Sequence, residues 1–304
     1  MSIYILFDLV LGIKAEYPNL LLMKTYLVPI DFSETAVHAA DFAAALSHQT
    51  EVKHIVLLNA YYVSVYETML PNPDMVLMMN EEIERNAADR IKKLEEFKKK
   101  LYKKVRPGVE ISTHLNRTHL VRAVVENVIS KNADLVIIGT KGNSSNDDAK
   151  IGSHVVKISK TCPVPVIVVP PTYNIEDISR IVVACDFNKV TEFDPLESLV
   201  KLLNRKKFDL LVVNINNKGK GSTDDTGKMA EGTALYAALK PYDPKYYFIN
   251  ETDIINGILQ FAKHNDAQIV IALPHKYSFL QSLLHTSVSR QLLENAAVPV
   301  LILK

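Results

Sequence analysis

The residues best suited to chemistry in this sequence form a glycine-rich segment, Gly139-Thr140-Lys141-Gly142, followed after nine residues by Gly152-Ser153-His154. Glycine has no Cβ atom, so it permits positive φ angles and lets a backbone approach a ligand closely. Ser153 opens a predicted helix, and the free N–H groups and dipole at a helix start favour a bound phosphate. The spacing therefore predicts a phosphate-binding loop.

Two apolar strands must position this loop. The predicted strand Leu135–Ile138 runs directly into Gly139, and the predicted strand Thr25–Ile30 ends at Asp31. In open α/β sheets the carboxyl ends of parallel strands share one edge, and ligands bind beyond it. We therefore expect Asp31 and the glycine-rich segment to lie at the same edge.

Short apolar runs alternate with amphipathic stretches through the first half of the chain. Such alternation predicts a parallel sheet covered by helices on both faces. The predicted strands are Thr25–Ile30, Val52–Asn59, Val109–Thr113, Leu135–Ile138 and Val164–Val169. The predicted helices are Glu34–Leu46 with Ser33 as N-cap, Met75–Lys104, Leu120–Ser130 and a helix opening within Gly152–Ser159.

The second half of the chain repeats the first. Arg180–Cys185 corresponds to the first strand, Leu210–Asn214 to the second and Val298–Leu303 to the last. The repeats are 155 residues apart at Asp31 and Asp186 but 134 apart at Pro165 and Pro299, so the second copy is 21 residues shorter. A helix around Met229–Leu239 is the shorter counterpart of the long charged helix. The sequence predicts two tandem, doubly wound, five-stranded α/β domains, residues 23–171 and 175–304.

Residues 1–22 have no counterpart before the second copy. Their apolar run, MSIYILFDLVLG, has no basic amino-terminal region and is too short to span a bilayer as a helix. We expect an extension outside the fold, with a membrane anchor as the alternative.

Composition excludes several classes of function. The net charge of +1 provides no basic field for nucleic acid or an anionic membrane. The two cysteines, Cys162 and Cys185, form no C-x-x-C pair and are expected to be buried free thiols. The sequence has no GxxxxGK[ST] or GxSxG motif, and its nine histidines have no metal-ligand spacing.

Three segments carry a resemblance to a known family. The pattern Gly139-x-x-Gly142, nine residues, Gly152-Ser153 matches the G-2x-G-9x-G-S/T signature of ATP-binding universal stress proteins. The segments PIDFS at residues 29–33 and CPVPV at residues 162–166 resemble that family's first and final strands. The resemblance covers Lys24–Pro170 and, more faintly, Ile178–Lys304. It implies a Rossmann-like fold of the adenine-nucleotide alpha-hydrolase type.

The resemblance also implies a binding site for ATP or ADP, with or without Mg. Asp31, beside Pro29, would lie at the ribose and adenine end, and Ala60 would offer backbone groups to adenine. The remaining implied site residues would meet ribose or phosphates, chiefly through N–H groups. They are Gly139, Thr140, Lys141, Gly142, Gly152, Ser153 and His154.

The second copy lacks this pattern. Leu273, Lys276 and Thr286 stand at the positions of Gly139, Gly142 and Gly152, whereas Asp186 and Ser287 are retained. Leu273 would place a side chain where the backbone should touch a ligand, and β-branched Thr286 resists a positive φ. We predict that only the first domain binds nucleotide.

The sequence thus predicts a cytoplasmic, nucleotide-responsive stress protein without a dedicated catalytic residue and with, at most, slow ATP hydrolysis. The alternatives are an interaction scaffold that binds no nucleotide and an adenylate-transferring enzyme of the same superfamily. The final strands VPVIVV and VPVLIL are short apolar edges that need covering. We expect them to pair within the chain as a pseudo-dimer, with no nucleic-acid or membrane partner.

Overall fold

The computed structural model describes residues 23–63, 73–142, 151–185, 198, 201–202, 208–216, 234–273 and 288–303. Strands in these ranges form a single ten-stranded sheet. They are β1 (Thr25–Pro29), β2 (His54–Ala60), β3 (Glu110–Asn116), β4 (Leu135–Gly139), β5 (Val166–Val169), β6 (Arg180–Ala184), β7 (Asp209–Asn216), β8 (Lys245–Asn250), β9 (Ile269–Ala272) and β10 (Val300–Ile302).

Helices connect most of these strands, as a parallel sheet requires. They are α1 (Glu34–Ser47), α2 (Pro73–Leu101), α3 (Leu120–Ser130), α4 (Ser153–Thr161), α5 (Ala234–Leu239), α6 (Ile254–His264) and α7 (Val288–Asn295). A 3₁₀ turn, Lys240–Tyr242, follows α5. The side chain of Ser33 accepts a hydrogen bond from the Ala36 amide, so the predicted N-cap of α1 is confirmed.

The strand order is β3-β2-β1-β4-β5-β10-β9-β6-β7-β8, so each repeat contributes five consecutive strands. Neighbouring strands are parallel within each repeat. The two repeats meet at β5 and β10, which pair antiparallel with Val300 opposite Val168 and Ile302 opposite Val166.

Alternation along the strands divides the core between the two faces of the sheet. Tyr26 and Val28 of β1 point to one face, where they join a cluster that includes residues of α1 and α2. Leu27 points to the other face, into a cluster that includes residues of α3 and α4. Because residues one apart on a strand face opposite ways, a run of buried residues needs helices on both sides.

The predicted fold class, two doubly wound α/β units, is confirmed, but some elements differ from the prediction. Helix α2 ends at Leu101 rather than at Lys104. Neither β8 nor β9 was located from the sequence, although both are runs of strand-favouring residues; β8 is an edge strand whose KYYFIN residues are half-buried or exposed. Cys162 and Cys185 are buried and free. Residues 1–22 lie outside the described residues.

Candidate functional site

A cleft of about 330 Å³ opens at the carboxyl ends of β1, β2 and β4. Strand β1 lies between β2 and β4 in the sheet. The chain continues from β1 to β2 and β3 on one side and then to β4 and β5 on the other, so the strand order reverses at β1. Such a reversal is the usual ligand position in doubly wound folds. The volume also falls within the range of about 300–1,000 Å³ that is common for small-molecule sites.

The turn after β1 fixes the carboxylate of Asp31 at one wall of this cleft. Asp31 Oδ1 accepts hydrogen bonds from the Ser33 amide (3.0 Å) and the Ser33 hydroxyl (2.6 Å). Phe32, between them, adopts a left-handed conformation with φ 65°. The buried Asn59 side chain donates to the Ile30 carbonyl at 2.6 Å, which holds the end of β1 against β2. Asp31 is therefore held by hydrogen bonds on both sides, from Ser33 to its carboxylate and from Asn59 to the carbonyl before it.

Gly142 lies directly against this carboxylate. A Cβ atom added to Gly142 would collide with Asp31 Oδ2. The predicted contact between the first strand and the glycine-rich segment is thus present in the structure. Lys141 also lines the cleft, and its carbonyl accepts a hydrogen bond from Thr35 Oγ1. The start of α1 therefore holds the loop in place.

Gly139 has a different structural role from the one that the sequence suggests. A Cβ atom there would lie 2.5 Å from the carbonyl oxygen of Thr35 and 2.8 Å from its carbonyl carbon. The absent side chain first of all lets the start of α1 pack against the end of β4. Gly139 also lines the cleft, so packing and ligand access coincide at this residue.

None of the three loop glycines uses the positive φ that glycine permits. Gly139 and Gly142 are not in the left-handed region, and Gly152 has φ −71° and ψ 140°. At Gly139 and Gly142 the absence of a Cβ atom, and not backbone handedness, is what the structure requires. The same correction applies to the argument that Thr286 resists a positive φ, although Thr286 itself lies outside the described residues.

The beginning of α4 forms the opposite wall. Gly152 is its N-cap without a side-chain hydrogen bond, and the Gly152 amide donates to the Thr140 carbonyl at 2.8 Å, which closes the loop. The first amides of a helix have no partner within it, so Ser153 and His154 can offer N–H groups to an anion. The intervening residues 143–150 lie outside the described part of the chain.

Eight of the ten predicted site residues line the cleft. These are Pro29, Asp31, Ala60, Gly139, Lys141, Gly142, Gly152 and His154. Thr140 and Ser153 are not among the lining residues. Thr140 is buried with an exposed fraction of 4%, and Ser153 is exposed at the first position of α4.

Sequence reasoning missed the wall on the β2 side, where Tyr62, Thr118, His119 and Leu120 line the cleft. The alternation of β2 could have placed Tyr62 there. Val56 and Leu58 face the α3 and α4 side of the sheet, and a residue two or four positions further faces the same way. No comparable pattern marks Thr118 and His119, which precede α3 in a loop.

The second domain repeats the support of this site but has Leu273 at the position of Gly139. Asn214 donates to the Cys185 carbonyl at 3.1 Å, as Asn59 does to Ile30. At the end of β9, Leu273 takes the position of Gly139, and its side chain is buried in the core with an exposed fraction of 2%. Asp186, Lys276, Thr286 and Ser287 lie outside the described residues.

Within the described ranges, no group of three or more His, Cys, Asp or Glu side chains is arranged to hold a metal ion. No helix in those ranges is long and apolar enough to cross a membrane.

A sequence model of the universal stress protein family matches the chain twice, over residues 23–170 and 178–304. No curated protein matches it. Three solved structures resemble almost the whole chain: a universal stress protein from Archaeoglobus fulgidus DSM 4304 (16% identity, 93% of this chain and 98% of that one, TM-score 0.60), a functionally unknown protein from Pseudomonas aeruginosa PAO1 (16%, 93% and 93%, 0.57) and a putative universal stress protein from Pseudomonas aeruginosa UCBPP-PA14 (16%, 93% and 94%, 0.56).

At these identities the structural neighbours establish a shared fold, while the two family matches cover most of the chain. The chain therefore belongs to the universal stress protein family and carries two copies of its domain.

Proposed function

We propose that the protein binds ATP or ADP in its first domain and acts as a nucleotide-responsive regulatory protein. The observation that carries this proposal is the convergence, in one cleft, of the Asp31 carboxylate, Gly142 directly against it and the start of α4. A carboxylate accepts hydrogen bonds from ribose hydroxyls, whereas helix amides and a lysine suit phosphates. The cleft offers both chemistries to one ligand.

The proposed ligand runs from β2 across β1 to the loop after β4. Pro29, Asp31 and Ala60 would contact adenosine. The phosphates would meet Gly139, Thr140, Lys141 and Gly142, together with the amides of Gly152, Ser153 and His154. Asp31 is the single carboxylate among the described lining residues, so phosphate oxygens would be the main ligands of an accompanying Mg²⁺ ion.

We assign the domains to residues 23–171 and 175–304, with a single nucleotide in the first. The antiparallel pairing of β5 with β10 supports an intrachain pseudo-dimer, because each final strand covers the edge of the other repeat. The buried Leu273 supports the absence of a second site.

The test is identification of the ligand released when protein purified without added nucleotide is denatured. ATP, ADP or AMP at about one per chain in the mass spectrum would support the proposal. If the purified protein releases none, and none binds when ATP is added, the chain is an interaction scaffold. Stoichiometric turnover of ATP to AMP with transfer of adenylate would indicate the enzyme alternative.

A further inference from the structure

Two aromatic rings from different elements meet at the wall of the cleft on the β2 side. The rings of Tyr62 and His119 are stacked, with centroids 3.8 Å apart and planes inclined by 14°. Tyr62 follows β2, and His119 is the N-cap of α3. Both residues line the cleft.

Neither ring is explained by core packing or by helix capping. Tyr62 has an exposed fraction of 53%, which is high for a large aromatic side chain. His119 is exposed as well, and its side chain makes no capping hydrogen bond to α3. Contact with the cleft is the feature that the two residues share.

The backbone beneath Tyr62 is anchored. The Tyr61 amide donates to the Asn116 carbonyl at 2.9 Å, which extends the pairing of β2 with β3 by one residue. The Arg90 guanidinium lies 4.7 Å from the centroid of the Tyr61 ring, on the α2 side of the sheet. Since adjacent residues of an extended chain point to opposite faces, this contact directs Tyr62 to the α3 side.

The loop that carries His119 is anchored too. Thr118 Oγ1 donates to Asn116 Oδ1 at 2.6 Å. Arg117 donates two hydrogen bonds to the Glu84 carboxylate of α2, at 2.8 and 2.9 Å, and these bonds lower the pKa of Glu84. The ring pair is therefore held before any ligand arrives, so little ordering is needed on binding.

The pair and the phosphate loop lie on opposite sides of β1. The rings follow β2 and precede α3, whereas the loop follows β4. Strands two apart in a sheet are separated by about 10 Å. A nucleotide whose phosphates lie at Gly142 and α4 would extend its base toward the ring pair.

We propose that Tyr62 and His119 form an aromatic base-recognition wall, which makes the site selective for nucleotides over polyphosphates. This inference rests on the proposed function. A flat, polarisable surface suits any purine, because stacking needs a π-face and no particular hydrogen-bonding edge. The wall contributes to binding of the base and leaves phosphate binding to the loop.

The experiment compares calorimetric titrations with ATP and with inorganic tripolyphosphate. We expect Tyr62→Ala to weaken ATP binding about tenfold and to leave tripolyphosphate binding unchanged, because one stacked base is lost. The matched variant Tyr62→Phe keeps the ring, and its ATP affinity should stay within about twofold of the wild type. His119→Ala should fall between the two. A thermal melt of each variant verifies folding.

The experiment distinguishes failure of the aromatic wall from failure of nucleotide binding. ATP binding by Tyr62→Ala at wild-type affinity, or an equal loss of ATP and tripolyphosphate, would overturn the wall while leaving nucleotide binding intact. Failure of the wild-type protein to bind ATP would overturn the proposed function and the wall together.

Discussion

The ends of β1 and β6 have the same support, while the ends of β4 and β9 differ. In both domains an asparagine side chain from the neighbouring strand donates to the carbonyl that follows the first strand. Strand β4 ends at Gly139 and the chain continues through Gly142 beside an open cleft, whereas β9 is followed by the buried Leu273.

This difference separates what the fold needs from what a ligand needs. The asparagine hydrogen bond is present in both domains, so it belongs to the fold and not to the ligand site. The residue at the position of Gly139 differs between the domains, since the second domain has Leu273 there. In the first domain the close approach of Thr35 leaves no room for a Cβ atom at Gly139. Gly142 has no such backbone neighbour and faces only the Asp31 side chain among its nearest contacts. Gly142 is thus the position where loss of ligand binding and loss of stability are most easily separated.

The largest effect is expected for Gly142→Leu. Its side chain would collide with the Asp31 carboxylate and should weaken ATP binding more than about 100-fold, a loss of roughly 3 kcal/mol of binding free energy. The loop lies at the surface, so the melting temperature should change little. Calorimetry and a thermal melt measure the two quantities, and undiminished affinity would show that nucleotide binds elsewhere.

Gly139→Ala should instead reduce stability. Its Cβ atom would meet the Thr35 carbonyl, a backbone group, and overpacking of this kind costs about 2 kcal/mol of the free energy of unfolding. Gly142→Ala is the matched control, because its Cβ atom meets a side chain, the Asp31 carboxylate, and no backbone group. Urea titrations of the two variants test this order. Equal losses of stability would contradict the distinction between the two glycines.

Removal of the asparagine hydrogen bond should lower the free energy of unfolding more in the first domain than in the second. Asn59→Ala deletes a buried amide that bonds the Ile30 carbonyl and accepts from Arg90 at 3.2 Å, at a cost of about 2 kcal/mol. Asn214→Ala deletes a longer, partly buried bond to Cys185 and should cost about 1 kcal/mol. Denaturant midpoints of the two variants provide the comparison, and the reverse order would refute it.

Truncation to Met23 should have a small effect. The apolar run in residues 1–22 has no counterpart in the second repeat. We expect the melting temperature to shift by about 2 °C or less, equivalent to below roughly 0.5 kcal/mol. A large loss of soluble protein on truncation would instead show that this segment packs into the core.

Lys276→Gly should have no effect on binding. It restores one glycine of the second copy, but Leu273 and Thr286 keep their side chains at the other two positions. The number of nucleotides bound per chain should therefore equal that of the wild type. A second equivalent of ATP bound by this variant would show that a single side chain closes the second site.

Much of the fold could be predicted, because buried parallel strands are short apolar runs separated by helices. The edge strand β8 differs from the central strands, because its aromatic residues are only half-buried and serve both packing and solvent contact. The end of α2 was predicted three residues late, because the basic segment after Leu101 retains a helical composition although the chain already turns.

The site too could be predicted only in part. The spacing of glycines marked the loop, because a missing Cβ atom leaves a direct trace in the sequence. It did not reveal that Gly139 packs against Thr35, since that contact depends on the approach of α1. Tyr62 and His119 come together only in the fold, 57 positions apart in the chain. Their roles required the structure.

The central claim, that one of two similar domains binds nucleotide, is tested most directly by the stoichiometry of ATP in a calorimetric titration of the full-length protein. We expect one ATP per chain for the wild type and none for Gly142→Leu. Two ATP per chain, or one that persists in Gly142→Leu, would contradict it.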